Sequence, residues 1–182
     1  MTPTHLPGRV GIPALPTVLD AFNGAPAADA RKLLLTCLRS HRWAERVAAH
    51  RPYPNIDSLL AASDEAAYDL THADLSEALA DEALPTLPDD SYSAAHTAMS
   101  AAHAAYESRF GHAFVIYLGE TSPTECLDHI LEGIRSRLAN DPEEERVVAA
   151  EEIRRLAKGR LVDLLRGAGN CATSHKQTAP GT

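Results

Sequence analysis

Three histidines bracket one aromatic-rich stretch of this chain. His96, His103 and His112 lie in or beside Tyr106-Glu107-Ser108-Arg109-Phe110-Gly111-His112-Ala113-Phe114. An imidazole titrates near neutral pH, so each could deliver a proton to a bound substrate. His96 and His103 are separated by seven residues, which places them on one helical face and equally suits a surface or subunit contact. His112 sits in a glycine turn, where it adds a titratable group to an otherwise apolar run. Glu82 could act as a carboxylate base, although its acidic surroundings also suit a solvated charge. Arg109 could reach into a pocket or tie down a helix end. Arg42, Arg46 and Arg51 are helix neighbours of His50 and could hold an anion, or pair at the surface with Glu45 or Asp57. His72 could likewise serve as a proton donor, although it also reads as a solvent-facing residue of a first helical turn.

Other chemistries lack their residues. The histidines have neither the i, i+4 spacing nor the nearby carboxylate of a metal site, so no metal or other cofactor is expected. No glycine-rich phosphate loop or nucleophile elbow is present. Cys37, Cys126 and Cys171 are sparse and form no C-x-x-C pair, which points away from disulfides and zinc and towards a reducing cytoplasm. A net charge of −8 disfavours nucleic acid as a partner. No run of eighteen apolar residues suggests a membrane span, and the first sixteen residues lack the apolar core of a signal peptide.

The elements that must position these groups are helices. Of the 182 residues 45% are hydrophobic but only 5% aromatic, so alanine and leucine carry the apolar content. The expected organisation is an irregular arm over 1–15, one helical domain over 16–167 and a polar tail over 168–182. Helices are predicted over 15–22, 26–38, 41–51, 56–70, 73–80, 91–110, 122–140 and 141–165. Between 84 and 90, Pro85 and Pro88 predict a loop. Trp43 reads as a core or interface anchor. Ser122-Pro123-Thr124-Glu125 predicts a capping box, and Asp141-Pro142 a second helix start. The last helix is expected to bury Val147, Val148, Ile153, Leu156, Leu161 and Leu164. Phe114 to Leu118 has no partner strand and is expected to be an extended connector or a buried helical extension.

Four blocks in this order resemble one family. They are Leu19-Asp20-Ala21-Phe22-Asn23; Arg42 to Tyr53, with Trp43 and the Arg51-Pro52-Tyr53 ending; Tyr106 to Phe114; and Arg135-x-Arg137-Leu138-x-Asn140-Asp141-x-Glu143-Glu144-Glu145, followed by Glu151-Glu152-Ile153 and Arg160-Leu161. The pattern is similar to that of the 2-oxo-4-hydroxy-4-carboxy-5-ureidoimidazoline (OHCU) decarboxylases of urate breakdown. The resemblance implies a compact all-α single-domain bundle, a homodimer, and cofactor-free decarboxylation of OHCU to (S)-allantoin. It also implies a substrate pocket near Arg109, Phe114 and Val115. Such chemistry needs a cation for the carboxylate, an oriented breaking bond and a proton delivered to one face.

The chain departs from the pattern at its chemical positions. Where the family has a His-Pro turn, counting without gaps reaches Glu82, and matching the proline reaches Leu84. The family's Glu-Gln pair has no counterpart between Asp89 and His96. Leu118-Gly119-Glu120-Thr121 lacks the arginine expected after the buried run. Two functions follow. Catalysis has moved to His96, His103, His112 or Glu82, or the fold is an inactive or repurposed relative that binds a small molecule or a protein.

Overall fold

The structure, a computed structural model, describes residues 17–80, 82, 93–119 and 121–167. The expected arm, tail and proline loop lie outside these residues. Among the described residues every regular element is a helix: α1 (Val18–Gly24), α2 (Ala27–Leu35), α3 (His41–Ala49), α4 (Ile56–Tyr68), α5 (His72–Ala80), α6 (Ser93–Phe110), α7 (Pro123–Arg137) and α8 (Pro142–Leu165). The all-α expectation therefore holds. None of these helices is long and apolar enough to cross a membrane.

Side-chain caps start several helices. Thr17 and Asp20 form a reciprocal capping box at α1, Asn55 caps α4, and Asp141 with Glu144 forms a second box at α8. At α7 the predicted box does not form. The Ser122 hydroxyl donates to the Glu125 carboxylate at 2.6 Å instead of accepting from the helix backbone. Gly111 ends α6 at φ 77°, a left-handed turn that favours glycine, and its N–H donates to the Glu107 carbonyl at 2.8 Å.

The helices form two adjoining cores. The larger joins residues of α1 to α5 with α8, around Trp43, Leu34, Leu59 and Leu161. The indole N–H of Trp43 donates to the Ser63 carbonyl at 3.0 Å, so the buried ring also fastens α3 to α4. The smaller core joins α6, α7 and the connector around Met99, Tyr106, Phe114, Ile130 and Ile134. Residues 113–118 form no regular element, and successive side chains alternate between the cores: Phe114 and Ile116 enter the small one, Val115 the large one. The connector is thus wedged between both cores.

The buried stripe of α8 differs from the predicted one. Glu145, Ala149, Ile153, Ala157, Leu161 and Leu165 face inward, while Val147 is 72% exposed. Alanines at two of these positions let α4 and α5 pack close to α8, so the small side chains mark the contact face and the larger valines do not.

Two of the resemblance blocks meet at one joint. The Asn23 side chain donates to the Tyr53 carbonyl and accepts from the Tyr53 N–H, both at 2.9 Å. Arg51 donates to the carbonyls of Phe22, Ala25 and Ala48 at 2.6, 2.9 and 3.1 Å, closing the ends of α1 and α3. Arg46 pairs with Asp69 and Arg42 with Asp74. The Glu45 and Asp57 partners expected for these arginines are not the ones they use.

Candidate functional site

α5, the end of α6 and the start of α8 enclose a cleft of 290 Å³. Its walls are His72, Leu75, Ser76, Leu79 and Ala80 on one side. Phe110, Gly111, His112, Pro142 and Arg146 complete it. Among the described residues the lining holds two imidazoles and one guanidinium, and none of these lining side chains is acidic. Such a lining favours an anionic ligand.

Local structure positions each of these groups. His72 opens α5, whose start is fixed by Thr71 and Asp74: the Asp74 carboxylate accepts from the Thr71 N–H at 2.8 Å. The Thr71 hydroxyl also donates to this carboxylate, and that bond, with the backbone one adding to it, holds the Asp74 carboxyl below the usual range. His112 follows the Gly111 turn. Its Nδ1 lies 3.0 Å from the Ala113 carbonyl oxygen, and its ring packs edge-on against Tyr106 at 5.5 Å. Arg146 sits in the second turn of α8 and pairs with the exposed Glu143. Hydrogen bonding from Arg146 lowers the Glu143 pKa first, and the nearby His72 adds to the effect.

The other expected site residues lie elsewhere. His96 is exposed on α6. His103 is 5% exposed and packs 6.2 Å from the Phe114 ring, with no hydrogen-bond partner for Nε2 among the described residues; burial pushes its pKa down. Arg109 donates to the Asn140 carbonyl at 2.9 Å, a structural tie between α6 and the turn before α8. Phe114 and Val115 are core residues, 0% and 2% exposed. The cleft thus contains His112 alone among these, and it adds His72, Ser76 and Arg146. Arg146 was hidden in sequence because it stands in a run of charges, 143–146, typical of a solvated helix start.

Glu82 has a different role from a free base. Its carboxylate receives two parallel bonds from Arg160, at 2.8 Å each, and its side chain is 3% exposed. Arg160 also donates to the Cys37 carbonyl at 3.0 Å. Glu82 stands at one of the two positions that sequence counting offers for the family's histidine. Its carboxylate is therefore already engaged by a guanidinium rather than open to a cavity ligand.

Behind the cleft lies a buried charge network. Glu145 is fully buried, and its Oε1 accepts from Arg137 Nε at 2.9 Å and from the Tyr106 hydroxyl. Its Oε2 accepts from Asn140 at 2.9 Å. Arg137 donates onward to the Val115 carbonyl at 2.6 Å, and its guanidinium stacks 4.6 Å over the Phe114 ring. Burial, then the bond to Glu145, raises the Tyr106 pKa far above a free phenol's. In the sequence Glu145 stood out only as the last of the Glu143-Glu144-Glu145 run in the fourth block. Its four-residue spacing to Ala149 and Ile153 was the available signal that it faces inward.

An all-helical bundle with a small cleft rich in nitrogen bases is the class of protein these features define. Comparison identifies the family. The family model described as OHCU decarboxylase matches residues 23–95 and 85–162, and the chain belongs to that family. No curated protein matches the sequence. Among solved structures, an (S)-allantoin synthase matches with a TM-score of 0.64 at 20% identity over 82% of this chain. The match takes in 54% of that protein, so the chain spans about half its length. An OHCU decarboxylase solved in the presence of (S)-allantoin matches with a TM-score of 0.63 at 18% identity, over 72% of this chain and 96% of the other. At these identities the likeness establishes the fold.

Proposed function

We propose that the protein is a cofactor-free carboxy-lyase that decarboxylates OHCU, or a closely similar ureido acid, to (S)-allantoin, and that its chemistry is carried by the cleft. The observation that carries this reading is the lining itself: His112, His72 and Arg146 around 290 Å³, with no acidic side chain among the described lining residues. Arg146 supplies the cation for the substrate carboxylate, which displaces the exposed Glu143. As the carbon–carbon bond breaks, its electron pair moves into the substrate's own conjugated ring and carbon dioxide departs. A protonated His112 then delivers the proton to the carbon. With Nδ1–H donating to the Ala113 carbonyl, Nε2 is the nitrogen that exchanges the proton. His72, across the cleft, adds positive charge when protonated.

Family membership supports the reaction class, and the locked Glu82–Arg160 pair argues for the cleft as its seat. The homodimer and the cytoplasmic setting belong to the same reading. Sedimentation in solution measures the first.

The test is a coupled assay in which OHCU is generated freshly from urate and (S)-allantoin is followed by circular dichroism. A rate well above spontaneous decay, reduced through kcat in His112→Ala and through KM in Arg146→Ala but retained in His96→Ala, supports the reading. A rate equal to spontaneous decay with fully folded protein rejects it, and favours a relative that only binds its ligand.

A further inference from the structure

The cleft and the buried Glu145 network are mechanically one unit, and the cleft's proposed function is the reading on which their coupling rests. Two walls of the cleft come from separate elements. Phe110, Gly111 and His112 belong to the end of α6 and the connector, whereas Pro142 and Arg146 belong to α8. One buried carboxylate joins these walls, beside the more exposed bonds from Arg109 to the Asn140 carbonyl and from the Tyr117 N–H to Glu152. Tyr106 of α6, Arg137 of α7 and Asn140 of the following turn all donate to Glu145 of α8. Through Arg137 the Val115 carbonyl of the connector is bound as well. The Tyr106 ring that carries the hydroxyl is also the surface on which the His112 ring rests, 5.5 Å away at 77°. Glu145 directly precedes Arg146 in the chain.

A buried ion pair is a costly way to hold helices together. Apolar side chains of similar volume often serve stability as well or better. What they lack is direction: a carboxylate with four polar contacts accepts one arrangement of its donors, and an apolar contact accepts many. Glu145 is 0% exposed and Arg137 7% exposed, so water does not loosen this arrangement. We propose that Tyr106, Arg137 and Glu145 are positioning residues, which set the orientation of His112 relative to Arg146 across the cleft.

The experiment compares the wild-type chain with Tyr106→Phe and with the double variant Arg137→Met/Glu145→Leu. Three quantities are read: the melting temperature, the imidazole NMR signals and titration of His112, and kcat and KM in the coupled assay. Tyr106→Phe keeps the ring under His112 and removes only the hydroxyl. Both variants are expected to fold, to shift the His112 signals and its titration midpoint, and to lose at least tenfold in kcat with a smaller change in KM. A folded Tyr106→Phe protein with unchanged His112 signals, titration and kcat overturns the proposal, whatever the double variant does. Should the wild-type chain show no turnover, the cleft's catalytic role has failed. The NMR readout then decides the positioning by itself. A shifted His112 titration sustains it, and an unshifted one overturns it.

Discussion

At the scale of single residues, chemical type alone did not separate the histidines. His96, His103 and His112 are equally able to carry a proton, yet one is exposed, one is sealed in a core and one lines a cleft. His112→Ala is expected to lower kcat by about a hundredfold or more in the coupled assay, the usual size of a lost general acid. Arg146→Ala is expected to raise KM above all, because it removes the cation for the substrate carboxylate. His103 should report on stability. Burial lowers its pKa, so the unfolded chain takes up this proton at a higher pH than the folded one. Its contribution is therefore complete above the unfolded value, about 6.5, and is lost as pH falls from there towards the folded value. Urea unfolding at pH 7.5, 6.5 and 5.5 should show a smaller loss on acidification for His103→Leu than for wild type. Equal slopes would sink this account of the residue.

At the scale of elements, the blocks that resemble the family resolve into joints. Asn23, Arg51 and Tyr53 lock the end of α1 to the end of α3 through side chain to backbone bonds. Arg51→Ala frees the carbonyls of Phe22, Ala25 and Ala48, and should cost about 2–3 kcal/mol in thermal or urea unfolding. Asn23→Ala should cost about 1–2 kcal/mol. Both act on one joint, so the double variant should cost less than their sum. Additive costs would show that the two side chains work independently. The helix start at Asp141 was legible because a cap involves residues only three apart, whereas the caps at Thr17 and Asn55 emerged from the structure. At Ser122 that local logic failed, since the hydroxyl found a stronger acceptor in Glu125.

At the scale of the whole molecule, burial decides which ion pairs matter. Glu82 and Arg160 are separated by 78 residues and tie the end of α5 to α8, with the Glu82 side chain 3% exposed. Glu132 and Arg135 pair one turn apart on the α7 surface with both side chains exposed. Removing Glu82 as Glu82→Ala should destabilise the fold by about 2–3 kcal/mol, because Arg160 is left half-buried without its partner. Glu132→Ala should change stability by less than about 0.5 kcal/mol. Urea midpoints of the two variants, compared at one pH, distinguish the cases; similar shifts would mean that the Glu82 pair behaves as a surface pair.

The sequence by itself determined the class of fold, the approximate limits of its helices, the buried place of Trp43 and the family. Each of these rests on short-range regularities: apolar spacing along a helix, caps within one turn, and blocks that survive as packing joints. Only the tertiary structure decided which charged groups are functional candidates. It drew Glu82 into a closed pair with Arg160, buried Glu145 under Tyr106 and Arg137, and brought His72, His112 and Arg146 around one cleft. The reason is geometric. These partners lie 8 to 78 residues apart, and whether a charged side chain meets water, a counter-ion or a cavity depends on how whole helices pack. No periodicity within one helix records that packing.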